Sequence, residues 1–172
     1  ITQRLLDEVI ATYPALGKEQ RLLGRIGVDT RDFVPSANRT RDHAGRVVVS
    51  VARLHPSKGH DILIRAIARL RERNVDVILR LAGAGPAELE LRELAHSLGV
   101  HEQVTFLGSI GDSDVIHELQ HADLFVLASH AEPLGVAYME AMSCGVATIG
   151  TDAGGVGEII TSGRDGLLVP PR

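Results

Sequence analysis

The chain has 172 residues, enough for one domain with a core of its own, and its 44% hydrophobic and 23% charged residues are those of a globular protein. A formal net charge of −4 argues against a dedicated nucleic-acid binder, which would carry a basic face. The single cysteine, Cys144, permits no internal disulfide and fits a reducing compartment, and no apolar run approaches the ~20 residues that would cross a bilayer.

Residues 1–45 read as a leading segment: a helix through Ala11, then a polar stretch from Ser36 to Asp42 that resembles an interdomain connection. The start at Ile1, where no signal peptide is expected, and the stop at Pro170-Pro171-Arg172 lead us to expect a piece of a longer protein. From residue 46 to 172 short β-branched runs alternate with amphipathic stretches. Val47–Ala52 predicts a buried strand, being apolar, β-branched and too short for a helix. His60–Arg73 predicts a helix with Ile62, Leu63, Ala66, Ile67 and Leu70 on its inner face. A second strand is expected over Val77–Ala82, ended by Gly83-Ala84-Gly85-Pro86, where Pro86 suits the first turn of the next helix. That helix carries Leu91, Leu94, Ala95 and Leu98 inward and stops at Gly99. Val104–Leu107 follows as a strand, 113–121 as a short helix, and Leu124–Ala128 as a fourth strand. A helix from about Gly135 to Cys144, capped by Gly145, precedes strands over Ala147–Gly150 and Gly166–Val169.

Strands alternating with helices at this spacing predict an α/β domain, a doubly wound, Rossmann-like parallel sheet with helices on both faces. Ligands of such sheets sit at the carboxyl ends of the strands. Chemistry is therefore expected in the loops after Ala52, Ala82, Leu107, Ala128 and Gly150.

Six motifs follow in chain order, the first in the leading segment and the other five in or beside those loops. They are Gly27–Pro35, Val51-Ala52-Arg53-Leu54 with Lys58-Gly59, Leu81–Pro86, Ala122–Ser129, the Glu132-x7-Glu140 pattern running to Gly145, and Thr151–Gly155 with Gly163–Val169. In this order they resemble the donor-binding C-terminal domain of the retaining GT-B glycosyltransferases called group 1, or family 4. Ala52 and Ala147 depart from that family's commoner Gly and Pro, which bears on fine donor geometry and not on the charged positions.

Arg53 and Lys58 lie at or just past the end of the first strand, facing the ligand crevice. A sugar-nucleotide diphosphate needs neutralising there, by a planar guanidinium fork and a mobile ammonium. The bland alternative is two solvated surface cations. Glu132 precedes a helix and Glu140 lies about one turn inside it, roughly 6–8 Å further on. The resemblance implies that Glu132 accepts sugar hydroxyls and Glu140 ribose hydroxyls; the alternative is a pair of exposed carboxylates favouring the helix dipole. Amides at Gly135 and Val136 are expected to hold donor oxygens. The resemblance puts the base near Gly83 and Leu107, through main-chain contacts. Gly154 and Gly155 are open between close approach to the donor and a simple turn.

Three patterns invite other readings. His117-Glu118-Leu119-Gln120-His121 matches the HExxH zinc-protease motif, but on a helical wheel both histidines oppose the Val115, Ile116, Leu119, Ala122 stripe. Asp112-Ser113-Asp114 reads as helix capping and first-turn charge rather than as a metal motif. Cys144 reads as a small buried hydrophobe.

The resemblance implies transfer of a hexosyl group from a nucleotide-diphosphate sugar, with Arg53, Lys58 and Glu132 at the reacting centre and Gly83, Leu107, Gly135, Val136 and Glu140 binding the donor. No cofactor and no obligatory metal is implied. The acceptor site would come from an N-terminal domain of the same protein. A cytoplasmic place follows, with peripheral membrane association open for the whole protein and no nucleic-acid partner. The competing readings are a non-catalytic nucleotide-sugar-binding module and half of a sugar-nucleotide epimerase or hydrolase.

Overall fold

A computed structural model describes residues 27–37 and 45–171, together with Asp7, Ala11 and Thr12. Those three isolated residues are helical, as the expected helix through Ala11 requires; the rest of that helix and the polar positions 38–42 lie outside the described residues.

The β-branched run forms β1 (Arg46–Val51), and a 3₁₀ turn (Pro56–Lys58) leads into α1 (His60–Glu72). β2 (Val77–Ala82), α2 (Glu88–Ser97), β3 (Val104–Gly108), α3 (Asp112–His121) and β4 (Leu124–Leu127) follow. Then come α4 (Val136–Ser143), β5 (Ala147–Thr151), a 3₁₀ turn (Val156–Glu158) and β6 (Leu167–Val169). Six strands pair in parallel in the order β3-β2-β1-β4-β5-β6. The expected doubly wound α/β sheet is thus the one observed.

Alternation along β1 separates two cores. Val47 and Val49 join Phe125, Leu127, Leu119, Tyr138 and Ala141 on the face covered by α3 and α4. Val48 turns to the other face, where Leu79 and Leu81 meet Leu63, Ile64 and Ile67 of α1 and Leu91 and Ala95 of α2. A strand buried on both faces must be apolar at consecutive positions, which is why the run reads as continuous rather than alternating. The inner face of α1 differs by about a residue from the sequence expectation. Ile64 is fully buried and Ala66 is exposed, because the stripe follows His60, Leu63, Ile64 and Ile67 at i, i+3, i+4, i+7 spacing.

The order reverses between β1 and β4. β1 sends its crossover toward β2, while β4 lies on its other side. The carboxyl ends of these two strands therefore open a crevice that no crossover fills, the usual ligand position in such sheets.

Candidate functional site

The loop after β1 carries Arg53 and Lys58, and the loop after β4 carries Glu132. Local folding fixes both. Gly59 adopts φ +67°, and a Cβ there would stand 2.0 Å from the Ala128 carbonyl oxygen, so the first loop lies flat against the end of β4. The Ser57 carbonyl accepts from the His130 amide at 2.8 Å and the buried Ser129 hydroxyl at 3.2 Å. Thr151, at the end of β5, donates its hydroxyl to the Ser129 carbonyl. Three strand ends are thereby tied together beneath the crevice.

Behind Glu132 the chain is held as tightly. Its carbonyl accepts the Gly155 amide at 2.8 Å, and Gly154, at φ +63°, packs so that a Cβ would come within 2.2 Å of that oxygen. The glycine pair thus approaches the Glu132 backbone closely, and a 3₁₀ turn rather than a helix follows it. Tyr138, fully buried in α4, donates its hydroxyl to the Leu127 carbonyl at 2.6 Å and meets the Phe125 ring edge-on. Burial, and then the Glu132 charge, holds its phenol above the ordinary range.

In this frame the Lys58 ammonium donates to the Glu132 carboxylate at 2.7 Å, with the two side chains only 22% and 12% exposed. The pair lines a cavity of about 300 Å³ together with Arg53, Val136, Leu134 and Leu127. Arg53 stands exposed at this cavity. The sequence-expected residues Arg53, Lys58, Glu132 and Val136 are thus brought together.

The others are arranged differently. Gly135, in left-handed backbone as the N-cap of α4, donates its amide to the Glu132 carboxylate at 3.3 Å, so that amide is occupied and not open as expected. Glu140 lies one turn into α4, outside the cavity wall. Burial first, and the Asp112 charge second, raise its carboxyl above the usual carboxylate range. Gly83 donates its amide to the Gly108 carbonyl at 2.8 Å, and Leu107 is part-buried in β3 at the sheet edge. Gly83 and Leu107 flank the crevice on the β2–β3 side and do not line the cavity.

One buried group beside the site was not singled out from the sequence. His60, the first residue of α1, is 2% exposed, and neither ring nitrogen has a hydrogen-bond partner. Burial, and then the Lys58 charge, push its pKa down to about 4, so the ring is neutral at physiological pH. Only its place two residues after Lys58 hinted at it. A larger groove of about 620 Å³ runs between α1 and α2, where Arg65 is interspersed with Asp61, Glu90 and Glu93. Such mixed charge gives no focus for a diphosphate.

The tempting motifs resolve into structure. Glu118 is held by Arg80 of β2 at 2.5 and 2.7 Å, which commits the carboxylate a zinc protease would need as its base. The His117 and His121 rings lie 4.2 Å apart between centroids, tilted by 31°, and the His121 ring nitrogen meets the His117 carbonyl. His117 is exposed and His121 partly so. Asp112 and Asp114 occupy the first turn of α3, but neither caps it with a side-chain bond, so only the first-turn charge part of that expectation holds. Cys144 is buried as expected, its thiol pushed up by burial and then by Glu140.

A doubly wound parallel sheet with a crevice at its switch point defines a Rossmann-like class of domain. The particular family is given by comparison: residues 36–172 match the glycosyl transferases group 1, and the chain belongs to that family. It is 36% identical over 83% of its length to a GDP-mannose-dependent alpha-(1-6)-phosphatidylinositol monomannoside mannosyltransferase of Mycolicibacterium smegmatis, of which it covers 41%. Among solved structures it resembles the C-terminal domain of a group 1 glycosyl transferase, LpcC, from Francisella tularensis, with a TM-score of 0.75, 28% identity, and coverage of 85% of this chain and 81% of that one. Anabaena Alr3699/HepE in complex with UDP-glucose gives a TM-score of 0.76 at 29% identity, over 84% of this chain and 42% of that one. The chain spans less than half the length of the curated relatives it matches.

Proposed function

We propose that this chain is the donor-binding half of a retaining, family 4 glycosyltransferase that moves a hexosyl group from a nucleotide-diphosphate sugar to an acceptor hydroxyl. The observation that carries the reading is the cavity at the β1–β4 switch point, where Arg53, Lys58 and Glu132 converge before the N-terminus of α4. The relatives support the ligand class: one is named for GDP-mannose, another was solved with UDP-glucose. The diphosphate lies against Arg53 and Lys58, and Glu132 accepts sugar hydroxyls. Glu140, with Gly83 and Leu107 to the β3 side, serves the ribose and base, and the Val136 backbone faces the donor oxygens. As the bond from the anomeric carbon to the diphosphate breaks, the two cations stabilise the charge that builds on the leaving oxygen, an electrostatic effect with large leverage on rate. No metal is assigned a role. The acceptor wall belongs to a facing N-terminal domain of the whole protein, which we place in the cytoplasm, with peripheral membrane association as its contact to lipid-borne acceptors.

Thermal-shift titration with UDP-, GDP- and ADP-sugars tests the donor site. A nucleotide sugar at 100 times its Kd raises stability by about 2.7 kcal/mol, and Arg53→Ala or Lys58→Ala removes much of that shift. Glu140→Ala weakens the free and the sugar-bearing nucleotide alike, since ribose is common to both. No shift with any of these sugars at millimolar concentration rejects the site.

A further inference from the structure

Resting on that donor-site reading, we propose that the Lys58–Glu132 ion pair makes the site discriminate against its own nucleotide product. The two groups are the diphosphate contact and the sugar contact of the same ligand, yet in this structure they hold each other at 2.7 Å. The pair is built and not incidental. Both side chains are mostly buried, and the second carboxylate oxygen accepts the Gly135 amide. The loops that carry them are tied through Ser57, Ser129 and His130. Any phosphate reaching for Lys58 therefore competes with a carboxylate already seated there.

Two ligands meet this competition differently. A nucleotide sugar supplies both replacements: phosphate oxygens accept from Lys58, and sugar hydroxyls donate to Glu132. Every charge and lone pair in the pocket stays matched. A free nucleoside diphosphate offers Lys58 a partner but leaves Glu132 part-buried, without its cation and beside a polyanion. A carboxylate stranded in this way is costly. Once the glycosyl group has left, Glu132 has lost its hydroxyl donors and returns to Lys58, which weakens the hold on the remaining diphosphate. Specificity here comes from an unpaired charge set against the wrong ligand.

The test is calorimetry on the 172-residue chain with UDP and GDP and with UDP-glucose and GDP-mannose. Glu132→Gln is expected to bind the free diphosphate about fivefold tighter and its sugar-bearing form more weakly, so that the preference for the sugar nucleotide collapses. Loss of one negative charge would by itself favour any anion, so the gain is measured again in Lys58→Met. The pair predicts that it disappears there; a gain of equal size in both backgrounds overturns the proposal. Glu132→Asp keeps the charge and shortens the reach, and it covers the case in which the glutamine variant does not fold. It too is expected to tighten free diphosphate binding, and unchanged affinity in it overturns the proposal. Binding by the wild type with no gain in either variant rejects the pairing alone. No binding of any of the four ligands to the wild type rejects the donor site, and this inference with it.

Discussion

His60 shows how a single buried side chain can set an acid limit. In the unfolded chain it titrates near its ordinary 6.5, and in the fold at about 4. Between those values the unfolded state binds the extra proton, so stability is fully present above pH 6.5 and is lost as pH falls through 4. His60→Leu removes the proton acceptor and two unpartnered nitrogens. It is expected to be neutral or stabilising at pH 7 and to flatten the loss of stability between pH 6.5 and 4, measured by urea unfolding across that range. A limb as steep as in the wild type would show that another group controls it. Glu118 is the complementary case. Glu118→Ala leaves the Arg80 guanidinium, 28% exposed, without its carboxylate, and is expected to cost about 1–2 kcal/mol. The double change His117→Ala with His121→Ala stays within about 0.5 kcal/mol. Denaturant midpoints decide between these, and the opposite ranking would return weight to the histidines of that motif.

At the scale of elements, the site depends on how two loops meet. Gly59 and Gly154 are the contact points, each in left-handed backbone with a carbonyl oxygen where a Cβ would stand. Gly59→Ala combines the strain of that conformation with a clash against Ala128, and is expected to cost more than about 2 kcal/mol. Because Lys58 is the preceding residue, nucleotide-sugar binding should fall even at temperatures where the variant remains folded. Parallel circular-dichroism melts and binding titrations separate the two effects. Retained affinity would mean that Lys58 is positioned by something other than this loop contact.

At the scale of the whole molecule, the proposed donor site has a wall from this chain on one side. The chain covers less than half of its matched relatives, and transfer requires two reactants held in line with water excluded, effects together worth many kcal/mol of barrier. The chain alone is therefore expected to bind a nucleotide sugar and to transfer nothing to added acceptors. Product analysis by mass spectrometry after prolonged incubation checks this, and steady glycosyl transfer by the fragment would overturn the half-enzyme reading.

Local sequence was enough for much of the architecture. Val77–Ala82 matches its strand from end to end, and α1 begins at His60 as its pattern implies, because β-branched runs and i, i+3, i+4 stripes act over a few residues. The order of Arg53, Lys58, Glu132 and Glu140 along the chain was legible for a similar reason: each lies just beyond a strand end or near a helix start. Their pairings were not. Lys58 and Glu132 are 74 residues apart, and only the parallel register of β1 beside β4 brings their loops together. The same holds for the Glu118–Arg80 pair, which turned a zinc motif into a tie between α3 and β2, and for His60, whose burial depends on a packed helix pair and the loops above it. Sequence by itself determined the strands, the helices and the list of charged residues at strand ends, since these follow from short-range periodicity. Which carboxylate answers which cation was decided by the tertiary structure alone, because an ion pair is set by distance in space and burial, and neither is a local property of the chain.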